Sequence, residues 1–531
     1  MEWVQTHLSH VYLTGERVYK FRKPVSFGFV DFSTRRERNA DCLREVRLNR
    51  RLAPDVYLGV AALDVSTDPP RVGAPREELS KDADAVEHCV VMRRLPAGRD
   101  ALSLLQAGEL DGPMLDALAA RIARFHADQK LGAPAPFSAQ DWHARCTRPV
   151  DENFRSLAGH GEALVPRSLL ASARDRAEAF ASARAEAFEA RRRQGRAVDG
   201  HGDLHLQHVW YERAGAEPIA IDGLEFSEAL RRVDAASEVA FLAMDLRYRH
   251  APGLAERFLR HYARDSDDFG LYTVVDYFLA YRAGVRAKVA ALAAADPAIE
   301  SAQRAAAGES VTRHLELAAA ALESRPAPSL VLVSGVVGTG KSTVAAELAG
   351  RLDAVVIASD RVRKRLFGVA PTERLSEGWG RGAYSPEQSK RVYAGLLERA
   401  RPVLESGRHA ILDATFSRRE QRCAAADLAR ASGARAFAVE VRCEPERARQ
   451  RLAQRAARGG DPSDAGPEDL VRSLRGFEPW SDWPAETRAV LSTDEPDWPD
   501  RLTGVLERIG AKGAPHTTRA KRGEAPSSVP H

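Results

Sequence analysis

The sequence predicts an α+β domain followed by an α/β domain with a parallel sheet. Three observations carry this. The chain has 531 residues, too many for one hydrophobic core, and length alone allows two to four domains. Near residue 335 a glycine-containing loop joins an apolar strand to an amphipathic helix, the opening βα unit of a parallel sheet. Before residue 60, strands of alternating pattern lead into one charged helix.

The βα unit is the clearest chemistry in the chain. Residues 330–334 read as a buried strand, and Val344, Leu348 and Leu352 recur at helical spacing. Between them lies Gly335-x-x-x-x-Gly340-Lys341-Ser342, with Gly338, Thr339 and Thr343 completing the loop and first helical turn. Glycines let the backbone turn several N–H groups toward one centre, which is also the positive end of a helix dipole. Such a loop cradles phosphates. Lys341 is placed for the β- and γ-phosphates of ATP, and the Ser342 hydroxyl for Mg²⁺.

Composition excludes more than it identifies. Hydrophobic residues make up 44% and charged residues 29%, an ordinary globular mixture. The 78 basic and 74 acidic residues nearly cancel, to a formal charge of +4, which favours neither a nucleic-acid nor a membrane surface. No basic stripe with interleaved aromatics suggests a nucleic-acid end as substrate. The five cysteines, Cys42, Cys89, Cys146, Cys423 and Cys443, form no C-x-x-C pair; they suit a reducing cytoplasm and offer no zinc site. The opening M-E-W-V-Q-T-H-L-S lacks a leader pattern, and no run nears the ~18 apolar residues of a membrane span.

In chain order, residues 11–13 and 17–21 alternate around Thr14-Gly15, placing Lys20 in the second strand. A charged helix from 35 to about 52 carries Glu45. C-V-V-M at 89–92 is a short buried strand, and Leu115, Leu118, Ile122 and Phe125 mark an amphipathic helix. Another helix is expected over 168–194, then the loop D-G-H-G-D-L-H at 199–205 and a hairpin of 209–211 with 218–221. Helical periodicity dominates 232–322. The resulting domains are 1–322, a Pro-containing linker at 323–328, and 329–510, with a disordered tail at 511–531.

His201-Gly202-Asp203-Leu204-His205 sits in a loop, and Asp222 ends a strand 19 residues after Asp203. A phosphotransferase needs one carboxylate to accept the hydroxyl proton and another to hold Mg²⁺. Lys20 and Glu45 can form the ion pair that positions phosphates. These four positions, in this order, resemble the aminoglycoside phosphotransferase-like branch of the protein-kinase fold, whose loop reads H-G-D-x-H-x-x-N. The resemblance implies Asp203 as catalytic base, Asp222 as metal ligand, and Lys20 with Glu45 as the phosphate clamp. Two features depart from it: the last motif position is His208, and T-H-L-S at 6–9 stands where a Gly-rich loop would be. His201, His205 and His208 also have the spacing of a metal-binding helix face, but Gly202 and Asp203 mark a loop. Asp268-Phe269-Gly270 spells a kinase motif far downstream and reads as a helix start.

Later in the chain, Asp360 follows a strand at 354–358, beside Arg363. Residues 409–412 read as a strand ending in Asp413, the place for an Mg²⁺-holding carboxylate. Arg451 and Arg455 lie one helical turn apart before G-G-D-P-S-D-A at 459–465, which reads as a lid whose arginines close over the phosphoryl group. This half resembles the AAA-type P-loop kinases that include polynucleotide kinase, zeta toxin and chloramphenicol phosphotransferase. That resemblance implies Asp360 as the base facing the acceptor and Arg363 as a contact to substrate phosphate. The whole chain is similar to bifunctional aminoglycoside phosphotransferase/ATP-binding proteins of bacteria. The function expected is ATP-dependent transfer to a hydroxyl of a small molecule or nucleotide, with a second kinase-like site upstream. The alternative is an N-terminal pseudokinase that senses a ligand and regulates a P-loop NTPase switch.

Overall fold

The computed structural model describes residues 2–27, 30–80, 85–375, 381–458, 460–481 and 483–510; the expected tail at 511–531 lies outside them. The chain divides into two compact units, Met1–Arg325 and Pro326–His531.

The N-terminal unit opens with an antiparallel sheet whose strands run in the spatial order Glu2–Gln5, Ser9–Leu13, Arg17–Arg22, His88–Arg93, Tyr57–Asp64, with the short Arg71–Val72 at the edge. The helix Arg35–Asn49 packs on this sheet. It starts at Thr34 with a capping box to Glu37. It buries Cys42 and Val46 against Val56, Tyr57, Val60 and Val90. The remainder of the unit is mainly helical, centred on Ala235–Tyr248 and Val275–Ala295, whose inner faces are closed by residues such as Phe241, Leu242, Leu279 and Ala283. A small antiparallel sheet with one helix, then a helical lobe, is the arrangement that the resemblance to the aminoglycoside phosphotransferase-like branch of the protein-kinase fold implies. The helix expected over 168–194 is two helices, Arg167–Ala183 and Ala185–Arg193, because Arg184 leaves helical geometry at φ −116, ψ 19. The expected hairpin is present as Val209–Trp210 paired with Ile219–Ala220.

The C-terminal unit is built on a five-stranded sheet in the order Val355–Ala358, Ala410–Asp413, Ser329–Ser334, Arg435–Arg442, Arg488–Ser492, with every neighbouring pair parallel. The central strand Ser329–Ser334 is buried along its whole length, as a strand covered on both faces must be. One face is covered by Lys341–Leu352 and Trp498–Ile509, through Val344, Leu348, Leu502 and Val505. The register aligns Asp413 with both Val333 and Ala358. The loops after these three strands therefore leave from one edge, the carboxyl edge where open α/β sheets place their ligands.

Among the described residues, no helix is long and apolar enough to cross a membrane.

Candidate functional site

In the C-terminal unit the loop from Gly335 to Gly340 passes directly from the central strand to the helix Lys341–Leu352. Two glycines are required by space. Gly335 has φ +148, and a Cβ there would lie 2.3 Å from the Val441 carbonyl oxygen. Gly338 has φ +82, and a Cβ would lie 2.8 Å from the Ala448 oxygen. Thr339 is buried and its hydroxyl donates to Val336 O at 2.9 Å, bracing the loop from within. Gly340, the N-cap of this helix, supplies no side-chain cap to the first-turn N–H groups.

Lys341 Nζ folds back onto Val336 O at 2.9 Å. Burial holds this ammonium below its ordinary range, while Asp413 and Asp360 pull it back up and Arg455 opposes them. Asp413 is buried at the end of its strand. Burial raises its carboxyl, against Lys341 and a hydrogen bond from Ser342. Lys341, Ser342, Asp413, Asp360 and Arg455 thus feel one another's charge or hydrogen bonding. The Ser342 and Asp413 oxygens are hard donors that fit Mg²⁺. Asp360 lies in the first turn of Ser359–Leu366 but is not its cap: the cap is Ala358, with no side-chain bond, so capping does not account for Asp360.

The neighbouring basic residues divide into different tasks. Arg451 donates to Thr493 Oγ1 and Thr493 O, both at 2.8 Å, and so ties its helix to the end of the Arg488–Ser492 strand. Arg455 donates to Ala465 O at 2.8 Å, inside the lid stretch. Arg363 is buried, donates to Ala383 O at 2.5 Å and lies over the Tyr384 ring at 4.5 Å. Sequence reading missed Lys364. Its buried ammonium meets Asp464 Oδ2 at 2.6 Å, and Tyr384 OH donates to the same oxygen at 2.6 Å. Asp464 belongs to the stretch read from the sequence as a lid, and this contact ties Asp464 to the helix of Asp360. Lys364 carried no signal beyond a basic run at 361–365.

In the N-terminal unit Lys20 is registered between Val11 and Val90. Its ammonium donates to Glu45 Oε1 at 3.0 Å and Asp222 Oδ1 at 2.7 Å. Burial alone would depress it; the two carboxylates raise it above its ordinary value. Glu45 is fully buried and its other oxygen accepts from Arg22 at 2.6 Å. Arg22 also reaches Asp41 at 2.7 Å and Glu225 at 2.5 Å. This second layer was missed, although Arg22 follows Lys20 by two positions and so shares its sheet face.

Asp222 adopts φ 62. It is held by its own N–H on the Tyr57 hydroxyl at 3.0 Å and by Gly223 N–H on Asn49 Oδ1 at 2.7 Å. Lys20 keeps its carboxyl well below the usual carboxylate range. The loop of Asp203 is held by buried Glu238, which accepts from His201 N–H at 2.6 Å and Gly202 N–H at 3.1 Å. Burial would raise the Asp203 carboxyl, but His205, with Nε2 at 3.6 Å, and the neighbouring His208 hold it below the usual range. His208 links the two carboxylates: Nδ1 lies 3.5 Å from Asp203 Oδ2, and Nε2 lies 3.7 Å from Asp222 Oδ2. Lys20, Glu45, Asp203 and Asp222 therefore form one connected cluster.

The histidine trio of a helix face does not form. His201 turns away to the Ile221 carbonyl at 2.8 Å, while Asp203, His205 and His208 bring ligand-type atoms within 4.8 Å of one another. Asp268 precedes a short 3₁₀ turn, Phe269–Thr273, as its position suggested, and its side chain is buried against Arg191 at 2.9 Å.

A family model described as an AAA domain matches residues 330–480. Uncharacterized proteins of Mycobacterium tuberculosis (Rv2004c) and Mycobacterium bovis (Mb2027c) are each 34% identical to the chain over 495 residues, covering 93% of it and 90% of their own length. The chain belongs to the same family as these proteins. Among solved structures, a kinase-class protein from Chloroflexus aurantiacus aligns with 34% of this chain and 99% of its own, at 19% identity and TM-score 0.28. An aminoglycoside phosphotransferase from Alicyclobacillus acidocaldarius aligns with 61% and 90%, at 14% identity and TM-score 0.33.

Proposed function

We propose that the protein is an ATP-dependent phosphotransferase acting on a hydroxyl of a small molecule or nucleotide, with ATP held at the C-terminal P-loop. The supporting observation is the convergence of Lys341, the Ser342–Asp413 hydrogen bond and Asp360 at the carboxyl edge of one parallel sheet. In this reading Gly335, Gly338, Thr339, Gly340 and Thr343 shape the loop around the phosphates. Lys341 meets the charge of the β- and γ-oxygens. Ser342 and Asp413 would hold Mg²⁺, which supplies neutralisation of phosphate charge. Asp360 accepts the proton of the acceptor hydroxyl as its oxygen bonds to the γ-phosphorus and the bond to the β-bridging oxygen breaks. Arg455 enters with the lid and compensates charge on the phosphoryl in transit.

The N-terminal cluster supports a second nucleotide site in the same chain. There Lys20, positioned by Glu45, meets phosphate, and Asp203 accepts a hydroxyl proton. The ligand-sensing alternative keeps the same nucleotide contacts without turnover.

The test is transfer from γ-labelled ATP by the full chain to a metabolite extract, wild type against Asp360→Asn. The expected result is a labelled organic product whose formation falls by about 10²-fold or more in the variant with ATP affinity retained. Labelled inorganic phosphate as the sole product would contradict a phosphotransferase and favour an NTPase switch.

A further inference from the structure

The N-terminal cleft contains a ligand pair of mixed chemistry. His208 Nδ1 lies 2.9 Å from the backbone oxygen of Asp203. A carbonyl oxygen only accepts, so this nitrogen carries the proton. Nε2 then presents its lone pair, and it lies 3.7 Å from Asp222 Oδ2. The other Asp222 oxygen is engaged by Lys20 at 2.7 Å, which fixes the carboxylate with Oδ2 turned to the imidazole. Two atoms each about 2.1 Å from one ion, subtending roughly 90–120°, stand about 3.0–3.6 Å apart. The observed separation needs only a slight closure to reach that range. Each ligand also has the outer partner that orients metal ligands: a carbonyl on the far imidazole nitrogen, and a hydrogen-bond donor on the carboxylate.

An imidazole nitrogen does not fit the all-oxygen shell that Mg²⁺ requires. It suits first-row transition ions, which accept nitrogen and carboxylate oxygen together. We propose that His208 Nε2 and Asp222 Oδ2 bind a first-row transition-metal dication in the N-terminal cleft, in preference to Mg²⁺. This makes the two units of the chain different in metal as well as in fold, since Ser342 and Asp413 present oxygen alone. The ligand pair stands on its own geometry. Only its pairing with nucleotide phosphates rests on the second-site reading above.

The test uses the full chain without nucleotide and Mn²⁺ as probe. Pulsed electron paramagnetic resonance of the bound ion reads directly coordinated ¹⁴N, and the Ser342–Asp413 pair has none to give. The expected result is ¹⁴N modulation that disappears in His208→Asn, with Mn²⁺ affinity reduced about tenfold or more and Mg²⁺ affinity unchanged or raised. Circular dichroism of each variant establishes that it is folded. Modulation that persists in His208→Asn but is lost in His205→Gln would overturn the assignment in favour of an Asp203–His205 pair. Absence of protein-bound Mn²⁺ with a nitrogen signal would overturn it outright. Repeating the titration with ATP and the Lys341→Ala chain separates the two ideas. ATP binding with Mg²⁺ and Mn²⁺ equally effective would sink the metal proposal and leave the second site standing. Mn²⁺ binding with a nitrogen signal but no ATP binding would do the reverse.

Discussion

The two units gather charge at their candidate sites by opposite means. In the C-terminal unit the backbone does most of it: a loop of special dihedrals, an uncapped helix start, and one lysine that rests on its own loop. In the N-terminal unit side chains do it, and they arrive from far apart in the chain. Lys20, Glu45, Asp203 and Asp222 come from a strand, a helix and two loops, and each is fixed by a further buried group such as Arg22, Tyr57 or Glu238. A backbone site needs one contiguous stretch, whereas a side-chain site needs a folded scaffold. The first should fail when one key charge is lost, and the second when the scaffold is loosened.

The largest expected effect is on the backbone site. Lys341→Ala removes the ammonium proposed to meet the β/γ-phosphates and should lower transfer by about 10²–10³-fold or more without unfolding the chain. Initial rates with labelled ATP check this; a rate near wild type would contradict the P-loop's role in transfer.

The next effect separates the scaffolds. Glu45→Ala leaves Lys20 and Arg22 each short of a buried carboxylate partner and should destabilise the N-terminal unit by about 3–5 kcal/mol. Asp413→Asn should leave stability of the C-terminal unit unchanged or slightly raised, because burial already disfavours its charge. Denaturant unfolding followed by hydrogen exchange in each unit distinguishes the two. Equal losses would erase the contrast.

Acid should sharpen it more gently. His126 is pushed down to about 3 by burial, and His261 and His314 to about 4. With folded values below the ordinary ~6.5, protonation favours the unfolded chain, so their stabilisation is full above that value and drains as pH falls toward 4. Burial raises Glu225, to about 8, and Glu238, and these two oppose the loss without matching three histidines. In the C-terminal unit His409 acts in the same sense and the raised Asp413 opposes it. The N-terminal unit should therefore melt first on acidification between about pH 6.5 and 4. Loss of the C-terminal unit first would show that other groups govern.

What was legible in the sequence follows the same division. Glycine spacing, the flanking strand and the helix period of the P-loop lie within some twenty positions, so local rules reach them. The strand-end Asp413 was legible because its neighbours are uniformly apolar. The N-terminal four were found only through motif order, since nothing local says that Lys20 touches Asp222, 202 positions away. Arg22, Glu225 and Glu238 stayed hidden because a buried charge reads as a surface charge until its partner is known. Lys364 and Asp464 stayed hidden for that reason too. The break at Arg184 left no proline or glycine to mark it. The orientation of His208, which turns Nε2 toward Asp222, depends on one backbone carbonyl and has no sequence signal.

The claim that most needs testing is that one chain carries two nucleotide sites of different construction. Calorimetric titration of ATP into the full chain, with Mg²⁺ and Mn²⁺ both present, measures this directly. The wild type should bind two equivalents, Lys341→Ala one, and the chain carrying both Lys341→Ala and Lys20→Ala none. A single equivalent in the wild type, abolished by Lys341→Ala alone, would contradict the account.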